Sequence, residues 1–152
     1  MENVQLRQFR PSDQDVVWQL HIRGLEQYGV RLNAEFIPGR DEDLARIEDE
    51  YLKGGDFLVA TMSDVAIGIG AIRKIDSGTA EIKRMRVEPA YQGKGIGSLI
   101  LDSLVERAKS LGYTRMILDT TERMVVAQHL YQSRGFREYR RDQLHSKKWR
   151  GD

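Results

Sequence analysis

The chain has 152 residues, the length of one ordinary domain, and its 24 Lys and Arg against 23 Asp and Glu give a net charge of +1. It contains no cysteine, which excludes thiol catalysis and cysteine-based metal sites. The first residues lack the apolar segment of a signal peptide and no run reaches membrane-spanning length, so we expect a single cytoplasmic domain over residues 1–152.

The N-terminal third predicts a strand followed by two helices. Alternating apolar residues indicate a strand over 4–9, and a helix over 12–28 begins with side-chain oxygens suited to capping. A second helix is predicted over 41–53, because acidic residues occupy its first turn and apolar residues recur on one face. The irregular connection between these helices, residues 30–40, is typical of a docking edge or a substrate wall.

The middle of the chain predicts an antiparallel meander of three strands over 57–61, 65–75 and 79–87. In the third strand the apolar positions change phase by one residue between Ile82 and Met85. Because side chains alternate strictly along a strand, this shift requires one extra residue. We therefore expect a β-bulge near Lys83 and Arg84.

Three alternate glycines follow the third strand and open a helix. Gly93, Gly95 and Gly97 remove side chains from a short turn, so backbone N–H groups can approach a ligand closely. The first N–H groups of a helix have no intrahelical acceptor and lie at the positive end of its dipole, so an anion such as phosphate is the expected ligand. Lys94 adds a positive charge, and with Gln92 the spacing is Q-x-x-G-x-G.

The C-terminal third continues the alternation of helix and strand. A helix is predicted from the glycine turn to Leu111, a strand over 115–119, a helix over 124–134 and a strand over 136–139. The strand, helix and strand around the glycine turn require a parallel pair. The remaining residues are polar and basic.

The glycine run resembles the acetyl-CoA-binding motif of the GNAT superfamily of N-acetyltransferases. The resemblance extends from the A-E-I-K-R-M-R-V strand at residues 80–87 to the A-x-x-L-Y-x-x-x-G-F ending at residues 127–136. It implies an α/β (α+β) fold: a mixed, mostly antiparallel sheet with flanking helices and a bulged fourth strand, splayed from its neighbour. It also implies an enzyme that uses acetyl-CoA as acetyl donor, with direct transfer to an amine in a ternary complex.

The same resemblance implies a binding site for each part of acetyl-CoA. The pantetheine arm is expected to add to the splayed strand along Met85, Arg86 and Val87, as an extra strand would. The turn that follows is expected to hold the pyrophosphate. Its members are Gln92, Gly93, Lys94, Gly95, Ile96, Gly97 and Ser98.

Two side chains are candidates for proton transfer. Tyr131 aligns with a family tyrosine that lies near the cofactor sulfur as general acid, and the alternative is a core aromatic residue packed on Leu130 and Phe136. Glu81 occupies a position where several family members carry a general base that acts through a water, and the alternative is a surface or salt-bridged glutamate paired with Lys83 or Arg84. Arg86 departs from the family, which often has tyrosine there.

The acceptor is not readable beyond a primary amine. Residues 1–76 carry 9 basic against 14 acidic residues and residues 77–152 carry 15 against 9, so the basic half coincides with the cofactor motifs. Tyr28, Phe36 and Ile37 are expected either to wall the acceptor side or to seal the helices against the sheet. The three histidines show no ligand spacing, so no metal is expected.

Two other functions compete with catalysis. A catalytically silent acyl-CoA sensor would use the same fold and loop, and thiol release would discriminate between the two. A nucleic-acid-binding module is suggested by the basic C-terminal residues but ranks low, because few aromatic residues accompany them. No membrane partner is expected, and the oligomeric state stays open, a homodimer included.

Overall fold

A seven-stranded mixed sheet forms the centre of the molecule. The structure is a computed structural model and describes residues 3–27, 42–121, 125–141 and 146–151. The strands are β1 (Val4–Gln8), β2 (Asp56–Met62), β3 (Val65–Lys74), β4 (Thr79–Val87), β5 (Arg115–Thr121), β6 (Arg137–Arg141) and β7 (Ser146–Gly151). Their order in the sheet is β1-β2-β3-β4-β5-β7-β6. Only β4 and β5 pair in parallel among these neighbours, which confirms the mixed, mostly antiparallel sheet.

Helices cover both faces of the sheet. They are α1 (Gln14–Gln27), α2 (Glu42–Ala45), α3 (Ile47–Glu50), α4 (Ile96–Ser110) and α5 (Val125–Ser133). One apolar cluster includes Leu20 of α1 and Ile47 of α3, packed with one face of β2 and β3. The other includes Ile100 of α4 and Tyr131 of α5. We call these faces the α1–α3 face and the α4–α5 face.

The predicted bulge lies in β4. Ile69 of β3 pairs with Arg86 and Ala71 pairs with Lys83, so two residues of β4 stand opposite Gly70. One of these two, Arg84, has a φ of 59°, in the left-handed region. The bulge is therefore where the change of apolar phase in the sequence predicts it.

The fourth strand separates from the fifth at this bulge. Their parallel pairing runs from Thr79 with Arg115 to Ile82 with Leu118 and extends no further in the register of the two strands. Both strands continue, β4 to Val87 and β5 to Thr121. The sheet therefore opens at the end of β4 that leads into the glycine turn.

Two features differ from the sequence prediction. The helix expected over 41–53 is two short helices, because Arg46 leaves the helical region with φ −137° and ψ 50°. The polar C-terminal residues contain a further strand, β7, which lies between β5 and β6. Trp149 anchors this strand, since its side chain is only 2% exposed and packs in the α4–α5 cluster.

Candidate active site

The glycine turn forms the start of α4. Pro89–Tyr91 make one 3-10 turn, and Gly93 and Gly95 then take φ values of 77° and 83°. Gly95 is the N-cap residue of α4 and has no side chain with which to cap the helix. The N–H groups of Ile96 to Ser98 therefore point out of the helix end without an intrahelical acceptor.

Two side chains of the predicted phosphate site shape this turn. The side-chain amide of Gln92 donates to the carbonyl of Val87 at 3.0 Å, which ties the turn to the end of β4. The ammonium of Lys94 lies 5.5 Å from the ring centroid of Tyr91. Gln92 and Lys94 are both exposed. The Lys94 ammonium is therefore accessible to an anion bound at the helix end. The turn is thus an uncapped positive helix terminus with an exposed cation beside it, and both features favour the binding of a phosphate.

The bulge divides the side chains of β4 between the two faces of the sheet. Ile82, Met85 and Val87 pack with the α4–α5 cluster. Lys83 stands opposite Ala71 and Arg86 opposite Ile69, and both partners belong to the α1–α3 cluster. Since cross-strand neighbours project to the same side, the charged residues of β4 project to the α1–α3 face.

Glu81 is among these charged residues. Its carboxylate lies 3.0 Å from the guanidinium of Arg73, its cross-strand neighbour, and only 14% of its side chain is exposed. The same guanidinium lies 3.8 Å from the carboxylate of Glu50. The salt bridge weighed for Glu81 is therefore made with Arg73 of β3, and not with Lys83 or Arg84 of its own strand.

A buried ion pair holds the bulge residue against α2. Arg84 donates two hydrogen bonds to the carboxylate of Asp43, at 2.9 and 2.6 Å, and the hydroxyl of Tyr51 donates to the same carboxylate. Burial acts to raise the pKa of Asp43, but the hydrogen bonds from Arg84 and Tyr51 outweigh it and leave this pKa below its usual value. Burial beside the Asp43 charge raises the pKa of Tyr51, so the phenol stays protonated.

Arg86 lies directly under α1. Its guanidinium donates to the carbonyl of Met85 at 3.0 Å. A Cβ atom built on Gly24 of α1 would lie 2.4 Å from the Arg86 Cδ atom, so any larger residue at position 24 would require the Arg86 side chain to move. The arginine that stands where the family often has tyrosine is therefore matched by a glycine in the middle of α1.

Tyr131 is buried on the opposite face. Its side chain is 6% exposed, and its ring centroid lies 6.1 Å from that of Phe136. It belongs to the same apolar cluster as Met85 and Val87, the strand residues past the opening of the sheet. Both interpretations of Tyr131 fit this position, because its ring packs in the core beside the cofactor strand.

The structure brings the predicted site residues together in two groups. The glycine turn, Met85, Val87 and Tyr131 lie toward the α4–α5 face, and Glu81 and Arg86 lie toward the α1–α3 face. Sequence reasoning missed the pair of Arg84 with Asp43. The signal was present, because Asp43, Ile47 and Tyr51 recur every four residues and place an acidic residue on a buried helical face.

Comparison with known sequences identifies the family. The profile of the acetyltransferase (GNAT) family matches residues 25–136. The chain belongs to this family. The match covers α4, α5 and the whole of β4, so it includes every cofactor-site residue that the sequence predicts.

Individual relatives agree with this assignment. The chain is 31% identical to IAA acetyltransferase of Azospirillum brasilense over 137 residues, covering 90% of this chain and 86% of the relative. It is 37% identical over 98 residues to N-acetylaspartate synthetase of Danio rerio, covering 62% of this chain and 35% of the relative. The GNAT chain thus spans about a third of the length of this synthetase.

A solved structure shares the fold. The Salmonella typhimurium protein yncA, solved with its cofactor acetyl-CoA, superposes with a TM-score of 0.82 at 21% identity and covers 99% of this chain and 94% of its own. Among the described residues, no helix is long and apolar enough to cross a membrane. Within the same ranges, no three His, Asp or Glu side chains are grouped to hold a metal ion.

Proposed function

We propose that this chain is an N-acetyltransferase, which moves the acetyl group of acetyl-CoA to a primary amine by direct transfer in a ternary complex. The observation that carries the proposal is the opening between β4 and β5, which begins at the bulge and ends at the uncapped terminus of α4. The splayed strand edge suits the pantetheine arm of coenzyme A, and the phosphate-binding turn that follows it suits the pyrophosphate. Family membership and the acetyl-CoA bound to yncA support the same assignment.

The donor would lie along this opening. Its pyrophosphate would accept hydrogen bonds from N–H groups between Gln92 and Ser98, and its pantetheine amides would pair with the backbone of Met85 and Val87. Four residues of strand separate Val87 from Lys83, a span of about 13 Å at 3.3 Å per residue. An extended pantetheine arm therefore carries the thioester from the turn to the bulge.

The reaction needs two proton transfers. The neutral amine attacks the thioester carbonyl, a C–N bond forms, the C–S bond breaks, and the sulfur leaves with the bonding electrons. In the proposal Tyr131 donates a proton or a hydrogen bond to this sulfur. The amine proton passes to Glu81, directly or through one water.

Glu81 could instead act only through its ion pair with Arg73. The pH dependence of kcat/KM in Glu81→Gln separates the two roles. A general base gives a loss of rate that is accompanied by loss of the acidic limb of the profile, whereas a purely structural role leaves the shape of the profile unchanged. The matched control is Glu106→Gln, an exposed glutamate on α4.

The experiment that tests the proposed function is thiol release from acetyl-CoA in the presence of primary amines, with mass spectrometry of the products. We expect acetylated amine and free coenzyme A in equal amounts. Tight acetyl-CoA binding without thiol release for any amine would contradict catalysis and favour the acyl-CoA sensor.

A further inference from the structure

Lys83 stands at the point where the sheet opens. It is the first residue of β4 past the last pair with β5, Ile82 with Leu118. Its cross-strand neighbour Ala71 belongs to the α1–α3 cluster, so its side chain projects to that face. In the proposed binding mode, the pantetheine arm runs along β4 from the glycine turn toward the bulge, and its thioester would end beside Lys83.

The charged groups around Lys83 are already paired with one another. Arg84 binds Asp43 in a buried ion pair, and Arg73 binds both Glu81 and Glu50. Within the part of the chain that the structure describes, Lys83 itself makes no ion pair or side-chain hydrogen bond. The Lys83 ammonium is thus half-buried beside two carboxylates, those of Glu81 and Asp43, that are bound to other cations.

A half-buried cation in this position is destabilised in the free protein. Burial lowers the pKa of Lys83, and repulsion from Arg73 and Arg84 acts in the same direction, whereas Glu81 and Asp43 attract the ammonium and offset only part of this effect. A carboxylate placed next to the ammonium would relieve this penalty, because an opposite charge stabilises the charged form. The position therefore favours an anionic group on whatever binds there.

Glu81 and Lys83 have a spacing that fits a small molecule with an amine and a carboxylate. They are two residues apart on one strand and face the same side, about 7 Å apart along the backbone. Hydrogen bonds to both ends of an amino acid would span this distance. The amine would then lie at Glu81, where the proposed mechanism needs it.

We infer that the acceptor is an amine that also carries a carboxylate, an amino acid or a close analogue, and that Lys83 binds its carboxylate. This inference rests on the proposed acetyltransferase function and names the substrate class of that site. Lys83 is in this role a specificity residue for the acceptor, and it does not take part in acetyl-CoA binding.

The first arm of the test compares free amino acids with the corresponding amino-acid carboxamides as acceptors for the wild-type protein. The carboxamide keeps the side chain and the amine and removes only the negative charge. Its amine is also less basic, so a larger fraction is neutral and able to attack at a given pH. This difference alone would favour the carboxamide, so a preference for the acid cannot result from amine basicity. We expect kcat/KM at least tenfold higher for the acids.

The second arm uses Lys83→Gln, which removes the charge and keeps most of the length. A hydrogen bond to a charged group contributes about tenfold to a hundredfold in affinity, so KM for the amino acid should rise by about that factor. KM for acetyl-CoA and for the carboxamide should stay constant. Lys83→Arg should restore most of the preference, and Lys109→Gln, an exposed lysine of α4, is the control for a change of overall charge.

The outcomes separate this inference from the proposed function. Acetylation of carboxamides as readily as acids, or equal loss for both in Lys83→Gln, overturns the role of Lys83 and leaves the acetyltransferase proposal intact. No thiol release with any amine or amino acid contradicts the acetyltransferase proposal, and with it this inference. A fall in thermal stability alone in Lys83→Gln, with the preference for acids retained, also counts against it.

Discussion

Arg84 holds a backbone conformation that non-glycine residues adopt rarely, and a buried ion pair fixes it there. Its φ of 59° belongs to the left-handed region, and two of its three guanidinium nitrogens, Nε and Nη2, donate to the Asp43 carboxylate. The shape of β4 where acetyl-CoA is proposed to bind thus depends on α2, which lies on the α1–α3 face of the sheet. Removing one partner of this pair should affect stability and the bulge together.

We predict that Asp43→Asn lowers the free energy of unfolding by about 3 kcal/mol near neutral pH, because it leaves the Arg84 charge buried without its counter-ion. The pKa of Asp43 is lower in the folded protein than in the unfolded chain, so its contribution is present above pH about 4 and is lost as the pH falls through the folded pKa. Denaturant unfolding of both proteins over a pH series measures this difference.

The control for this prediction is Asp49→Asn. Asp49 is exposed and pairs with Lys53 one turn later on the protein surface, at 3.1 Å, so its loss should change stability by less than about 0.5 kcal/mol. A constant difference between wild type and Asp43→Asn down to the lowest pH would contradict the assignment of the acid-sensitive contribution to this pair.

Tyr131 can be tested without disturbing the core. Tyr131→Phe keeps the ring that packs on Phe136 and removes only the hydroxyl. If the hydroxyl acts on the departing sulfur, kcat should fall about tenfold to a thousandfold while acetyl-CoA affinity stays constant, since the interaction forms mainly in the transition state. Tyr139→Phe, at an exposed tyrosine of β6, is the matched control, and steady-state kinetics with calorimetry give both quantities.

Wild-type turnover in Tyr131→Phe would assign the residue to the core alone. A loss of acetyl-CoA affinity as large as the loss of kcat would instead indicate a binding role in the ground state.

At the level of elements, the turn before α4 determines how coenzyme A can bind. Gly95 takes a φ of 83° at the N-cap, where a side chain is strained and would also lie near the exposed N–H groups. A β-branched substitution there would combine both effects. Alanine adds the smallest side chain, and the same backbone strain can be introduced by alanine at another glycine with a positive φ as a control.

We predict that Gly95→Ala weakens coenzyme A binding at least tenfold. Gly112→Ala is the matched control, because Gly112 has a φ of 92°, an added Cβ would meet nothing within 4 Å, and it lies at the other end of α4. Both variants should lose about 1 kcal/mol of stability from backbone strain. Calorimetric titration with coenzyme A should show a change only for Gly95→Ala, and equal affinities would rule out the placement of the pyrophosphate.

Some elements were predictable because their signals are local. The bulge follows from the phase of Ile82 against Met85, and the turn follows from three alternate glycines. By contrast, β7 has the polar sequence S-K-K-W-R-G, in which Trp149 is the sole strongly apolar residue. Its place between β5 and β6 comes from long-range pairing, such as Trp149 with Leu118, which no local pattern encodes.

The site shows the same division. The glycine turn could be located from spacing alone. The pairing of Glu81 with Arg73, and of Arg84 with Asp43, depends on which elements the fold brings together. Asp43 and Arg84 are 41 residues apart in the chain, so only the tertiary structure relates them.

At the scale of the whole molecule, donor and acceptor would enter from opposite faces of the sheet. The cofactor turn lies with α4, whereas α1 and α2 lie over the charged side of β4, through Gly24 on Arg86 and Asp43 on Arg84. The segment that joins α1 to α2 contains Tyr28, Phe36 and Ile37, which lie outside the described residues. The described residues on either side of it, Gly24 and Asp43, both lie on the proposed acceptor face.

We predict that alanine at Tyr28, Phe36 or Ile37 raises KM for the acceptor severalfold and leaves KM for acetyl-CoA unchanged. The reason is that the predicted cofactor contacts all lie between Met85 and Tyr131, on elements other than this segment. Val126→Ala, at an exposed position of α5, is the control for loss of an apolar surface group. Unchanged constants with lower thermal stability would assign the three residues to packing.

The position of β7 also has a consequence for the order in which the protein can fold during synthesis. Among the strands that the structure describes, β6 pairs only with β7, which follows it in the chain, so β6 cannot join the sheet until β7 has been synthesised. Until then the edge of β5 that pairs with β7 is unpaired, and Leu118 lacks its cross-strand neighbour Trp149. A nascent chain in which β7 has not yet been synthesised would therefore expose this edge to other nascent chains, and the seven-stranded sheet can form completely only after β7 has left the exit tunnel.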